Sequence, residues 1–202
     1  MKTYLSKESL ILLIATLLLL AGCYFPLFPE GELYVITVVL YLLVTPLIVL
    51  ILLRENLKEY GFAWKKWPFS KGKTVLGLVI LVAVMYVINS FPEHKEFYTS
   101  RIQTENLLIH TTLIMGLYYF AEEFFFRGFL LFGLKERFGE FSVVIQTIPF
   151  ALFHLGKPPS EAILSVFAGL VFGHIAYKSE SFIPVFLLHW LMGLCTVAFV
   201  AL

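Results

Sequence analysis

Seven apolar runs divide this chain, and they decide what it can fold into. They cover roughly residues 10–28, 33–53, 74–91, 107–134, 141–155, 162–177 and 182–202. A helix that crosses a bilayer needs about 20 predominantly apolar residues. The first, second, fourth and seventh runs meet that length. The fifth and sixth are short, and the fourth is long enough to tilt, break or project beyond the bilayer. No water is available in the hydrocarbon to satisfy backbone N–H and C=O groups, so each run is expected to be helical. Of the 202 residues, 59% are hydrophobic and 14% charged, more apolar surface than a soluble domain can hide. The expectation is an all-α, polytopic membrane helix bundle of about seven transmembrane helices. Residues 1–202 would form a single membrane domain, with the chemistry concentrated in 107–202.

The basic residues alternate with the loops. Lys2 and Lys7 precede the first run, and Arg54, Lys58, Lys65, Lys66, Lys71 and Lys73 follow the second. Lys135 and Arg137 follow the fourth run, and Lys178 the sixth. These loops hold 11 of the 15 Lys and Arg residues, against Lys95, Arg101 and Lys157 in the opposite loops and Arg127 inside a run. The positive-inside rule then predicts a multi-pass cell-membrane protein with a cytoplasmic N-terminus and an outward C-terminus. A net charge of +1 argues against a nucleic-acid partner. In the second loop the bases alternate with Tyr60, Phe62, Trp64, Trp67 and Phe69, the pattern of an interfacial anchor on membrane lipids. Cys23 and Cys195 are far apart and offer no disulfide framework. Cys23 closes a Leu20-Ala21-Gly22-Cys23 stretch that has the form of a lipoprotein signal. The first transmembrane helix is the preferred reading, because Tyr24, Phe25 and Pro26 continue the apolar character.

Within the fourth run lies Ala121-Glu122-Glu123-Phe124-Phe125-Phe126-Arg127-Gly128. Ionisable groups at membrane depth are costly and tend to face a protein interior or a water-filled cavity. Glu123 and Arg127 are an i,i+4 pair with the acid on the N-terminal side, so they can neutralise each other. Glu122 points elsewhere, and its own i+4 neighbour is the apolar Phe126. One carboxylate is thus structurally employed, and the other is free to take a proton from water. Two further runs carry buried histidines. His154 follows Phe150 by four residues, so ring stacking is available, and His189 lies in the last run. At 1.5 Å per residue, Glu122 and His154 each lie roughly 20 Å from the inner turns and His189 about 12 Å, depths that allow convergence. His174 sits beside the Gly169-x-x-x-Gly173 packing face and reads as structural. His94 and His110 receive no role.

The ordered set Glu122-Glu123-x-x-x-Arg127, Phe150-x-x-x-His154 and late His189 resembles the CAAX protease and bacteriocin-processing (Abi) family, the glutamic-type intramembrane endopeptidases. The resemblance covers about residues 107–202. It implies that Glu122 and His154 activate the attacking water and that His189 assists the oxyanion. Glu123, Arg127 and Phe150 would support the site. It also implies a membrane-associated peptide or protein substrate and no cofactor; oligomeric state is left open. One departure stands out. Where the family usually places Asn or another small polar residue four positions after the late histidine, this chain has Gly193. Removing one oxyanion donor costs other hydrolases about 10²–10³ in rate.

Three rivals were weighed. Glu122, His154 and His189 also match a catalytic zinc set. The expectation is nevertheless metal-free: the spacing is not HExxH, the three residues lie on separate helices, the resembled family is read as metal-independent, and Phe126, Phe150 and Leu188 offer few partners nearby in sequence to fix the ring tautomers. A non-enzymatic immunity or scaffold protein of the same fold would account for Gly193. A proton-coupled transporter is disfavoured by the lack of an inverted repeat.

Overall fold

The computed structural model describes residues 6–29, 31–102 and 106–201. Lys2, used above to orient the chain, lies outside the described residues, as does Leu202. All seven apolar runs are helical, and an eighth, short helix joins them. In chain order the helices are α1 (Lys7–Tyr24), α2 (Tyr34–Leu52), α3 (Lys71–Asn89), α4 (Pro92–Thr99), α5 (residues 107–138), α6 (Phe141–Phe153), α7 (Pro159–Ser179) and α8 (Ile183–Ala201). There is no strand among the described residues.

Five helices are long and apolar enough to cross a membrane: α1, α2, α3, α7 and α8. This corrects the reading of the sixth run as short. Its helix has 21 residues, because Pro159, Ser160 and Glu161 open it and Lys178 and Ser179 close it, all outside the apolar count. Pro159 suits the first turn, where a backbone N–H has no partner to lose. The fifth run stays short: α6 has 13 residues, or about 20 Å of rise. α5 is long enough to span but carries Glu122, Glu123 and Arg127 inside its apolar stretch. α4 was not anticipated. It is a polar helix started by Pro92, and it lies in what the sequence presented as a loop.

α5 forms the centre of the bundle. Every residue from Phe124 to Phe132 is buried, so this stretch has no lipid-facing side. A helix that is apolar all round belongs in an interior. α1, α2, α6 and α7 pack around this stretch, and α8 packs against the turns just before it. Ile11 and Ala15 of α1 are buried in the same core. At the periphery, side chains such as Leu17, Val75, Val79, Phe167 and Val171 stand exposed, the arrangement expected where lipid replaces water.

Two local devices hold the helices close. α6 and α7 approach through Gly169 and Gly173. A Cβ on Gly173 would lie 2.6 Å from the Gln146 amide nitrogen, and one on Gly169 would lie 2.7 Å from the Thr147 methyl. Gln146 donates its amide to the Gly169 carbonyl at 2.8 Å. The second device is a widened helix. α2 and α5 both contain π-helical segments: Leu40–Val44 in α2, and His110–Ile114 and Phe124–Phe132 in α5. In α2 the segment precedes Pro46, which has no N–H to donate, and the Thr45 hydroxyl donates to the Leu40 carbonyl at 2.8 Å.

Candidate active site

The two acids of α5 sit where its geometry changes. Met115–Glu123 is α-helical, and Phe124–Phe132 is π-helical. Such segments occur frequently at functional sites. The i,i+4 relation survives the change: Arg127 Nη1 donates to Glu123 Oε1 at 3.0 Å. Both side chains are fully buried. The guanidinium also lies over the Phe150 ring, 4.0 Å from its centroid, a cation–π contact that explains why α6 presents an aromatic residue there.

α6 and α8 bring their histidines to the same place. Glu122, His154 and His189 are all buried, and one potential ligand atom from each lies within 4.8 Å of the others. Glu122 Oε1 is 3.7 Å from His154 Nε2. That gap is wider than a hydrogen bond and suits a bridging molecule. Neither oxygen of Glu122 has a hydrogen-bond partner among the described residues, although both are buried. Buried polar atoms left in this state call for an explanation, and a reacting ligand is one.

Both rings are fixed through Nδ1. His154 Nδ1 is 2.9 Å from the Phe150 carbonyl oxygen. A carbonyl can only accept, so Nδ1 carries the proton and Nε2 faces Glu122. His189 Nδ1 donates to Glu123 Oε1 at 2.6 Å. Phe150 flanks this arrangement with its ring 4.5 Å from that of His154 and 6.2 Å from that of His189. The expectation that tautomer-fixing partners would be scarce is therefore overturned. One partner is a backbone carbonyl, to which sequence reading is blind, and the other lies 66 residues away in the chain. Glu123 thus serves two cations or donors at once, Arg127 and His189.

A cavity of about 890 Å³ lies on the Tyr119 side of this cluster: Glu122, His154 and His189 are not part of its wall, but Tyr119 is, and its ring packs on His189 at 4.4 Å. Tyr118, Tyr119, Lys157, Gly193 and Thr196 contribute to its wall, as do Glu32, Arg101 and His110 near its mouth. Beside it lies a second polar group that sequence reading missed. Glu161 accepts from Lys157 at 2.7 Å and from the Tyr98 hydroxyl at 2.6 Å, with His94 Nε2 at 3.5 Å. Burial alone would lower the Lys157 ammonium, but the Glu161 carboxylate and other nearby acidic groups outweigh it and hold it well above the ordinary lysine range. The Lys157–Glu161 spacing of four was a usable signal for this pair. Nothing in the sequence marked His94 or Tyr98.

Residues 104–195 match the family model described as type II CAAX prenyl endopeptidase Rce1-like, in agreement with the resemblance drawn from the motifs. The match suggests intramembrane CAAX protease activity and, with the apolar helices, a multi-pass membrane protein. No curated protein and no solved structure matches the chain.

Proposed function

We propose that this protein is a glutamic-type intramembrane endopeptidase, with Glu122 and His154 activating water and His189 assisting the oxyanion. The observation that carries this reading is the unpartnered Glu122 carboxylate facing His154 Nε2 across 3.7 Å in a fully buried setting. A water bridging that gap can lose a proton to Glu122 as its oxygen attacks the scissile carbonyl. The same proton then passes to the leaving amine as the C–N bond breaks. To donate to the developing oxyanion from Nε2, His189 must carry protons on both ring nitrogens, and the Glu123 carboxylate on Nδ1 offsets that charge. Glu123, Arg127 and Phe150 hold the ring and the acid in place.

The substrate is a membrane-associated peptide or protein. The cavity wall draws on the loops near Glu32, Arg101 and Lys157 and on none of the Lys- and Arg-rich loops. With the N-terminus cytoplasmic, as the charge alternation favours, the scissile bond enters from the outer face. Thiol labelling of single cysteines introduced at Ser100 and Lys66, in intact cells and in inverted vesicles, tests the orientation. Labelling of the Lys66 position from outside overturns it.

A second reading has a specific observation behind it. Both histidines have the Nδ1 partners that metal-ligating histidines commonly use, so Glu122, His154 and His189 can hold a zinc ion with one position open. Zinc with bonds of about 2.0–2.2 Å sets its tetrahedral ligands about 3.4 Å apart, near the 3.7 Å between Glu122 Oε1 and His154 Nε2, and all three atoms lie within 4.8 Å of one another. Purified protein treated with chelator, then assayed for metal and for cleavage of internally quenched membrane peptides, separates the two. Activity lost on zinc removal and restored on addition would overturn the metal-free reading. Wild-type turnover by Glu122→Gln would overturn the general base.

A further inference from the structure

The family's usual polar residue after the late histidine is replaced by Gly193, and the structure assigns its work to Tyr119. This inference rests on the endopeptidase reading above. Gly193 is one helical turn beyond His189 on α8, and Tyr119 is one turn before Glu122 and Glu123 on α5. The two meet across the helix interface. A Cβ on Gly193 would lie 2.5 Å from the Tyr119 ring carbon Cε2, 2.6 Å from the terminal methyl of the flexible Met115 and 2.7 Å from the Tyr119 hydroxyl oxygen. The Tyr119 ring edge and hydroxyl, with the Met115 methyl, therefore occupy the volume that an Asn side chain would fill. The glycine and the tyrosine are complementary halves of one arrangement: a larger residue at 193 would displace the ring.

The tyrosine lies beside the proposed oxyanion donor. Its ring packs on His189 with centroids 4.4 Å apart and planes inclined at 38°. Tyr119 and Gly193 both line the cavity, and Tyr119 joins it to His189, whose ring lies in the Glu122 cluster. A phenol donates a hydrogen bond and needs no charge to do so. When water adds to the scissile carbonyl, the carbonyl π electrons move to oxygen. The Tyr119 O–H and the His189 Nε2–H then stabilise that oxyanion from adjacent positions. No proton leaves Tyr119: the proton released by water goes to Glu122 and then to the amine. Tyr119 is thus a catalytic residue of this chain, and the loss of the usual donor is compensated.

The test uses the full-length protein in detergent and a library of internally quenched membrane peptides. The probe is a peptide that wild type cleaves and Glu122→Gln does not. A library with no such peptide overturns the endopeptidase reading and this inference together. With the probe in hand, Tyr119→Phe is expected to lower kcat by about 10²-fold, the loss typical of one oxyanion donor, with KM nearly unchanged. Gly193→Asn alone is expected to be impaired, because its side chain meets Tyr119. The double variant Tyr119→Ala/Gly193→Asn is expected to exceed Tyr119→Ala at least tenfold in kcat. Thermal melting confirms that Tyr119→Phe is folded. Wild-type kcat in Tyr119→Phe, with Glu122→Gln inactive, overturns the inference alone. So does a raised KM at unchanged kcat, or a double variant no better than Tyr119→Ala.

Discussion

Two carboxylates near the cavity, Glu161 and Glu122, are built in contrasting ways. Glu161, at the start of α7, is saturated: Lys157 and Tyr98 donate to it, and His94 stands alongside. Glu122, on α5, is hidden more completely, yet no donor engages either of its oxygens among the described residues. A saturated acid is a structural pin, because every partner it has is already on the chain. An unsaturated one is held ready for something the chain does not supply. Between these extremes stands Glu123, which accepts from Arg127 and His189 through one oxygen and leaves its other without a partner.

Substitutions can break or sharpen this contrast. The largest effect is expected at Glu122. Glu122→Gln keeps the shape and removes the base, so turnover should fall about 10³-fold or more while the melting temperature stays at or above wild type. A folded variant with full turnover would place Glu122 beside Glu161 as a pin. Next is Arg127→Ala, which strands Glu123 in the core. Breaking a buried pair typically costs about 3–5 kcal/mol, and unfolding in mixed micelles should report a loss of that order. Glu161→Gln should cost less, about 1.5–3 kcal/mol, because its partners are partly exposed. Its activity should follow the fraction folded; a selective loss of kcat at full folding would give the pin a chemical role. The smallest effect is expected for His94→Leu. The contact to Glu161 is long at 3.5 Å and Nδ1 has no partner among the described residues, so stability should move by no more than about 1 kcal/mol.

The sequence carried what local periodicity can encode. Seven apolar runs announced seven helices, and a spacing of four announced the Glu123–Arg127 pair that the structure contains. That Glu122, His154 and His189 could converge was readable because helical rise converts residue count into height, roughly 20 Å for the first two and about 12 Å for His189. The partners of those residues were not. His189 is held by an acid on another helix, and His154 by a carbonyl that every residue possesses. Tyr119 drew no notice because its meeting with Gly193 exists only after α5 and α8 pack. α4 was hidden by its polarity: its eight residues serve an aqueous edge and bear no membrane signature.

The π-helical stretch Phe124–Phe132 has a consequence for how this protein tolerates change in length. A π turn accommodates an extra residue between successive hydrogen bonds, so the stretch acts as a phase adjuster between the two ends of α5. On one side it sets the compass bearing of Glu122 and Glu123, and on the other that of Lys135 and the turn at Gly139. Deleting a single residue there would let ordinary α turns reform without a gap in the backbone ladder. The helix would survive, and because a π turn rotates less per residue than an α turn, its two ends would keep nearly their present bearing. A deletion in the flanking α-helical turns has no such buffer: one end would swing by about 100° relative to the other. The acids would then face away from α6 and α8, so α5 can give up a residue inside the π stretch far more safely than beside it.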